Sequence, residues 1–425
     1  PHIIWPLRFI LPHSPEQRPA WLIRTGLFLY DHLGGRKRLP GSRSVDMKTD
    51  PAAAPLKASV VKAFSYADCW VEDSRLVVLN AMDAAERGAE ILTRTRCTEA
   101  RNDGGLWQAT LASNRGVPVR QIRARALVNA AGPWVSDFLE KRLQRQTDSK
   151  VRQVKGSHIV VKKLFDHDSP YILQNPDGRI IFAIPYEHEF TLIGTTDKEV
   201  HGDVAGIQID DEEIDYLLGS VNRYFETSVT PKDIVWSYAG VRPLYDDAKG
   251  NASAVTRDYV FDLQAPEGQA PLLSIFGGKL TTYRKLAEHA LEQLQPVMGF
   301  EKGAWTVGAP LPGGDIDDAN FDAFAKNVQE QWNWLPKTLA QRYARAYGTR
   351  MERLIGTAAT LDELGEHFGD DLYEAEVRYL MSVEWALTDD DILWRRSKLG
   401  LHVDDETAAR LRAWLGRNAD LDMPA

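Results

Sequence analysis

Two glycines and a lysine stand between a strand-like and a helix-like run at Phe276-Gly277-Gly278-Lys279-Leu280-Thr281-Thr282-Tyr283. Paired glycines let a backbone come close to a ligand, and a helix N-terminus offers unpaired N–H groups and the positive end of its dipole. Such a turn suits an anion or an electron-rich ring edge. An ordinary strand–turn–helix capped by Thr281 or Thr282 explains the glycines and threonines equally, though not a lysine at the mouth. Two arginines join this set: Arg242 in Ala239-Gly240-Val241-Arg242-Pro243-Leu244, where a strand is expected to end, and Arg257 in Ala254-Val255-Thr256-Arg257-Asp258-Tyr259. Forked guanidinium donors grip phosphate or carboxylate in pairs. Either arginine can instead serve a salt bridge with Asp246, Asp247 or Asp258. Taken with Lys279, three cations favour an anionic substrate. His158, behind Lys155-Gly156-Ser157, has the chemistry of a general base near neutral pH, but a lone histidine is more often structural. Gly194-Thr195-Thr196-Asp197 reads adequately as a turn and helix cap.

The whole chain narrows the choice. Its 425 residues suffice for a large core and two or three domains. Charged residues at 26% and hydrophobic ones at 44% are ordinary for a globular protein. A net charge of −9 leaves no basic excess to neutralise phosphates, which argues against general nucleic-acid binding. Cys69 and Cys97 are the only cysteines, so a disulfide framework and a Cys-based zinc site are excluded and a reducing compartment is the simplest inference. No apolar run nears the roughly 20 residues that span a bilayer. The sequence holds no metal-ligand cluster, Ser/His/Asp order, Walker loop or G-x-G-x-x-G. It opens at Pro1 without an initiator methionine, a signal-peptide pattern or an evident start of a fold, which reads as a fragment.

The elements that would carry these residues follow from periodicity. Leu272 to Phe276 is a buried-strand run, and Leu286, Ala287, Ala290, Leu291 and Leu294 recur at helical spacing behind the Gly-Gly-Lys turn. Near the front, residues 5–12 are apolar and 22–30 helix-like, ending in the basic Gly34-Gly35-Arg36-Lys37-Arg38. Trp, Phe and Leu beside Arg and Lys suit an amphipathic helix lying in a membrane surface; packing against its own domain is the competing reading. Residues 52–58 read as a mobile connector. A helix from Asp73 or Ser74 to about Arg87, a strand over 90–97 and a hairpin turn at Asn102-Asp103-Gly104-Gly105 follow. The strand at 126–129 running into Ala130-Ala131-Gly132-Pro133 is how a doubly wound sheet presents backbone to a nucleotide, and also how a helix packs closely on a strand. From Lys155 the texture turns to β, interrupted by an amphipathic helix over 210–225. An antiparallel sheet inserted into an α/β protein is the economical interpretation. Beyond the Gly- and Pro-rich 307–314, residues 315–425 are helical in pattern, with Trp385, Trp394 and Trp414 expected in a small core of their own.

Taken whole, Gly277-Gly278-Lys279-Leu280-Thr281-Thr282-Tyr283-Arg284-Lys285-Leu286-Ala287 resembles the second signature of FAD-dependent glycerol-3-phosphate dehydrogenases. The likeness to the aerobic, respiratory bacterial members continues in Leu11-Pro12-His13, Tyr30-Asp31-His32-Leu33-Gly34 and Val128-Asn129-Ala130-Ala131-Gly132-Pro133-Trp134. It extends through Lys155-Gly156-Ser157-His158-Ile159-Val160, Ile193-Gly194-Thr195-Thr196-Asp197, Gly240-Val241-Arg242-Pro243-Leu244, Thr256-Arg257-Asp258-Tyr259 and Trp394-Arg395-Arg396-Ser397-Lys398-Leu399-Gly400, so it covers essentially the whole chain.

The resemblance implies an α/β, glutathione-reductase-like FAD fold of the D-amino-acid-oxidase type, N-terminally truncated, with an antiparallel substrate domain and a C-terminal helical domain. The expected division is 1–150 for the remainder of the FAD domain with a membrane-facing segment, 151–270 for the substrate domain, 271–306 for the return to the FAD domain and 307–425 for the helical cap. It implies oxidation of sn-glycerol 3-phosphate to dihydroxyacetone phosphate by hydride transfer to FAD, with electrons passed to ubiquinone. Peripheral attachment at the cytoplasmic face of the bacterial inner membrane is expected, and a homodimer is allowed. An oxidase using O2 and a catalytically silent fragment are the alternatives. On this resemblance Arg242 and Arg257 bind or orient the substrate phosphate with Lys279 beside the flavin ring, and Arg242 and Lys279 are the catalytic candidates. Gly277, Gly278, Lys279, Leu280, Thr281 and Thr282 wrap the isoalloxazine, and Ala130, Ala131 and Gly132 lie near the nucleotide half of FAD. No metal is implied. The family's G-x-G-x-x-G, which receives the FAD pyrophosphate, is not in this sequence, so the chain alone is expected to bind FAD poorly.

Overall fold

The structure, a computed structural model, describes residues 1–14, 19–33, 39–113, 119–145, 151–245, 259–301 and 303–418. Strand β1 (Ile4–His13) is followed by helix α1 (Ala20–Leu33), and β2 (Arg43–Val45) and β3 (Lys62–Val71) complete an antiparallel ladder with β1. The basic run Gly34 to Arg38 lies outside the described residues. The segment expected to be a mobile connector is instead packed: Ala52, Ala53 and Leu56 are buried and Leu56 bridges to Phe225. Its apolar side chains have a core to enter, and this outweighs its short, proline-bearing character.

Helix α2 (Asp73–Glu86) buries Leu76, Leu79 and Met82 and stops at Gly88, whose φ is +94°. The strand expected over 90–97 starts later, as β4 (Thr95–Asp103). The described part of its partner β5 (Leu106–Ser113) ends at the pair Thr95↔Ser113, so among the described residues none lies in a strand opposite those before Thr95. The turn between them holds Gly104 and Gly105 at φ +59° and +78°, as a two-residue hairpin requires. Next come β6 (Arg120–Ala124), β7 (Leu127–Asn129) and α3 (Val135–Arg142).

A long β region follows: β8 (Val151–Lys162), β9 (Tyr171–Gln174), β10 (Ile180–Tyr186), β11 (Phe190–Gly194) and β12 (Lys198–Val200). Helix α4 (Asp211–Asn222) opens on a reciprocal cap in which Asp210 accepts from the Glu213 N–H and Glu213 from the Asp210 N–H. Then β13 (Ile234–Tyr245), β14 (Val260–Gln264), β15 (Leu272–Phe276) and α5 (Tyr283–Met298) lead to the C-terminal region. That region consists of α6 (Phe321–Gln331), α7 (Lys337–Tyr347), α8 (Met351–Ile355), the small hairpin β16 (His367–Gly369) and β17 (Leu372–Tyr373), α9 (Glu374–Glu384) and α10 (Asp405–Asn418).

The strands form one large sheet in the order β12-β8-β11-β10-β9-β1-β3-β2, with β13 paired along β8. A second sheet runs β14-β15-β7 and a third β4-β5-β6. Strands from residues 1–150 are therefore distributed over all three, and β14 pairs with β15 across the expected boundary at 270. One face of the large sheet buries Ile159, Val161, Ile181 and Ile193 against Leu217, Leu218, Val221 and Phe225 of α4 and its exit. Each such fully buried side chain contributes about 1.5–3 kcal/mol.

The C-terminal helices enclose Leu339, Tyr343, Tyr347, Phe368, Leu380 and Leu411. Of the three tryptophans expected in that core, only Trp414 is fully buried there. Trp385, with φ +54° after α9, packs toward Ile3, Leu76 and Leu79, and Trp394 stacks on Trp236 of β13. Trp394 also packs, half-buried, against the C-terminal core, and both tryptophans serve the boundary with the remainder of the chain. So does Arg75 of α2, which meets Glu384 with side chains 4% and 0% exposed.

Candidate functional site

The face of the large sheet opposite α4 lacks side chains at one place. Residues opposite one another in a ladder share a face, as do i and i+2 along a strand. On β13, Trp236, Tyr238, Gly240 and Arg242 therefore share a face with Val160, His158, Gly156 and Val154 of β8, and Gly194 of β11, opposite His158, joins them. Three of these positions are glycine. A Cβ on Gly156 would stand 2.6 Å from both Arg242 Nη2 and Thr195 Oγ1, and one on Gly194 would fall 2.1 Å from His158 Cδ2. The missing side chains make room for a guanidinium and an imidazole to lie across the sheet. Among the described residues nothing approaches within 4 Å of where a Cβ on Gly240 would be, so none of them fills the hollow there.

Arg242 donates through Nη2 to the Thr196 carbonyl at 2.9 Å and pairs with Asp197 at 2.7 Å, its side chain 40% exposed. Among the described residues Nη1 and Nε are left for a ligand. The arginine does not sit where a strand ends, as expected, but inside β13, which continues through Pro243 to Tyr245. Among the described residues β13 pairs with β8 alone, and at such an edge a proline's missing N–H can face outward. Thr196 is no helix cap either: its Oγ1 accepts from the Ser157 N–H at 2.9 Å and donates to Glu213 at 2.6 Å, tying the β11 exit to β8 and α4. His158 stacks on Tyr238 with ring centroids 4.8 Å apart and planes 9° from parallel, and its Nδ1 is buried without a hydrogen-bond partner among the described residues. Burial first, and the Arg242 charge second, pull its pKa down to about 4, so the ring is neutral at physiological pH.

The second cluster lies at the small sheet. Strands β7 and β15 are parallel, in register from Leu272↔Leu127 to Ser274↔Asn129. The loops leaving their carboxyl ends are Ala130-Ala131-Gly132 and Gly277 to Thr282, and the space outside the carboxyl ends of parallel strands is where α/β sheets bind ligands. Gly132, Gly277 and Gly278 have φ of +56°, +74° and +108°, conformations open to glycine, and a Cβ on Gly278 would come 2.8 Å from Leu286 Cδ1. Gly278, Lys279, Leu280 and Thr281 are exposed. The threonine cap expected for the following helix is not made. A single 3₁₀ turn precedes α5, and Thr282 Oγ1 turns back to donate to the Lys279 carbonyl at 3.0 Å. Among the described residues no side chain caps this helix start, although the Thr282 and Tyr283 N–H groups already donate to the Lys279 and Leu280 carbonyls.

Two contacts join the clusters. Gln153 of β8, opposite Pro243, donates to the Pro133 carbonyl at 2.9 Å, and the Tyr245 and Phe276 rings meet at 6.4 Å. Gln153 and Tyr245 alternate with Val154 and Arg242 along the ladder, so these contacts join the two sheets without by themselves setting Arg242 beside the two glycine-bearing loops. Arg257 lies outside the described residues. Sequence reasoning gave no place at the site to Tyr238, Gly156 or Gly240, and read Gly194 and Asp197 only as part of a turn and helix cap. Tyr238 and Gly240 alternate with Arg242 along β13, Gly156 lies on β8 and Gly194 and Asp197 at the β11 exit, and the role of all five depends on the register of three strands.

Comparison with known proteins gives matches along nearly the whole chain. Residues 1–284 match the family described as FAD dependent oxidoreductase, and residues 304–415 the C-terminal domain of alpha-glycerophosphate oxidase. The chain is 52% identical over 415 residues to a glycerol-3-phosphate dehydrogenase of Pseudomonas aeruginosa, covering 98% of this chain and 80% of that one. It is 50% identical over 421 residues to D-erythritol 1-phosphate dehydrogenase of Brucella abortus (99% and 84% covered) and 47% identical over 415 residues to aerobic glycerol-3-phosphate dehydrogenase of Escherichia coli (98% and 82%). Among solved structures, glycerol-3-phosphate dehydrogenase from Bacillus halodurans complexed with FAD shares the fold with a TM-score of 0.77 at 23% identity, over 98% of this chain and 82% of that one.

Proposed function

The chain belongs to the FAD-dependent oxidoreductases of the aerobic glycerol-3-phosphate dehydrogenase family, with their D-amino-acid-oxidase-type fold and C-terminal helical domain, and on that premise we propose that it oxidises sn-glycerol 3-phosphate to dihydroxyacetone phosphate. The observation that carries this reading is Arg242, held over Gly156 beside the open position at Gly240. A phosphate can replace Asp197 as its partner, because an exposed ion pair is worth only about 0–1 kcal/mol.

The residues present fit FAD. Two glycine-bearing loops leave the carboxyl ends of adjacent parallel strands, and the helix start between Lys279 and Tyr283 has no side-chain cap. Ala130, Ala131 and Gly132 would hold the nucleotide half and Gly277 to Thr282 the ring, with Lys279 and the helix dipole favouring negative charge at its pyrimidine end. When bound, FAD supplies the two-electron acceptor. On the substrate side, Arg242 fixes the phosphate, and neutral His158 accepts a hydrogen bond from a substrate hydroxyl. The Tyr238 ring excludes water from one face of that imidazole.

For the electron acceptor we propose ubiquinone, met at the cytoplasmic face of the bacterial inner membrane. Helix α1 supports this reading. Ile23 and Leu27 pack toward Phe9, Leu11 and Phe64, while Trp21, Phe28 and Leu29 stand 70%, 55% and 52% exposed on it. Such a face suits a helix lying in a lipid surface. Among the described residues no helix is long and apolar enough to cross a membrane. The Brucella relative supports a second substrate, D-erythritol 1-phosphate, with the same phosphate and a longer carbon chain. Assay of the FAD-loaded protein with both phosphates, reading quinone reduction and peroxide separately, decides between these substrates and acceptors. Quinone reduction with glycerol 3-phosphate is expected, and its absence defeats the proposal.

A further inference from the structure

His158 is fixed by packing rather than by hydrogen bonds. Its Nδ1 has no partner among the described residues, its edge lies against the backbone of Gly194, and one face is covered by Tyr238. Tyr238 cannot be the end of the argument, because it is itself 36% exposed. Behind it stands Trp236, 5.0 Å away at 35°, and behind Trp236 stands Trp394, 4.5 Å away at 26°. The row His158–Tyr238–Trp236–Trp394 runs from the candidate site into the C-terminal domain.

Both partners in the last contact are set by local irregularities. The β13 ladder slips between Ile234 and Trp236, and a bulge of this kind re-aims a side chain. Trp394 lies in a six-residue π-helical turn, Asp391–Arg396, a rare conformation frequently met at functional sites. That turn is held at its start by Asp391, which accepts from the Leu387 and Thr388 N–H groups and from Arg94. The indole lies over Gly400, where a Cβ would come 2.3 Å from Cε2, and Lys398 donates to the Trp394 carbonyl at 2.6 Å. Two departures from regular structure, one on each side of a domain boundary, therefore meet in a single ring stack.

We propose that Trp394 is a positioning residue for His158, acting from the C-terminal domain through Trp236 and Tyr238. The inference rests on the functional reading above in giving His158 a place beside the substrate. The charge acting on His158 is that of Arg242 from β13, itself paired with Asp197, and Tyr238 is the titratable group in ring contact with it.

The test reads His158 directly. Diethyl pyrocarbonate modification of His158 is followed by peptide mass as a function of pH, in the full chain with and without FAD. Trp394→Ala is expected to speed modification several-fold and to move its midpoint up from about 4 toward 6.5, with Trp394→Phe restoring both. The acid limb of kcat should move up with it, and kcat should fall about ten- to hundredfold while KM changes little. Gly400→Ala displaces the indole without removing it and is expected to give the same shift in smaller measure. It supplies the measurement if Trp394→Ala does not fold. Unchanged His158 reactivity in whichever variant folds overturns the proposal. Because modification is read without substrate, failure to oxidise either phosphate would defeat the substrate reading and leave this result to stand or fall alone.

Discussion

Arg75 meets Glu384 where α2 packs on the C-terminal domain, with side chains 4% and 0% exposed, whereas Arg242 meets Asp197 on the open face of the large sheet, at 40% and 43%. The pairs are chemically alike, an arginine with one carboxylate. Arg75 also commits Nε to the Ala346 carbonyl at 3.0 Å and Nη2 to Glu384 at 2.8 Å, and no water competes for either. Separating such a pair strands a charge in a dry interior. Arg242 makes both its contacts through Nη2, and water can take the place of its carboxylate. Solvent access, not residue type, makes one arginine a fastener and the other a receptor.

That contrast can be broken in four places. Glu384→Ala should destabilise the fold by roughly 3–5 kcal/mol in chemical denaturation, because Arg75 is left buried and unpaired; a loss below about 1 kcal/mol would erase the distinction. Arg242→Ala should leave stability within about 1 kcal/mol while raising the KM for glycerol 3-phosphate roughly ten- to hundredfold, the worth of charged hydrogen bonds to phosphate. An unchanged KM would remove Arg242 from the substrate. Acidification should separate the regions next. The pKa of His158 falls from 6.5 unfolded to about 4 folded, so the folded form binds fewer protons between those values. Its contribution is complete above about pH 6.5 and is lost as pH falls toward 4, by about 3 kcal/mol. Arg242→Gln should shrink that loss by removing the neighbouring charge, whereas Glu384→Gln should not, and paired pH-dependent melts read the difference. Asp197→Asn should have the smallest effect, a severalfold lower KM with stability unchanged within about 0.5 kcal/mol, since it removes only the competitor for Arg242. A higher KM would show that Asp197 orients the guanidinium rather than competing for it.

The same contrast explains what could be read from residue order. The Gly-Gly-Lys turn, the buried β15 and the amphipathic α4 were legible because each is written in a few neighbouring residues, as turn glycines, an apolar run and a period of 3.6. The resemblance added the FAD-dependent family and its substrate class. What stayed hidden depends on register. Asp197 reaches Arg242 only because β11, β8 and β13 lie side by side, and Arg242 looked like a strand end because Pro243 follows it. The threonine cap failed because Thr282 turns back to Lys279, a choice that local propensity does not decide. Trp394 looked like core because nothing near it in sequence announces Trp236 across the domain boundary.

The Arg75–Glu384 pair also has a history in time. Its partners are 309 residues apart, so a ribosome adding roughly 5–20 residues per second takes about 15–60 s to produce the second after the first. For that interval the seat that α2 will occupy does not exist, and its arginine must stay hydrated. The nascent chain therefore carries an unfinished surface through most of its synthesis, with Leu76, Leu79 and Met82 beside it. Chaperone occupancy of stalled chains should drop once residue 384 and the turn after it have left the exit tunnel.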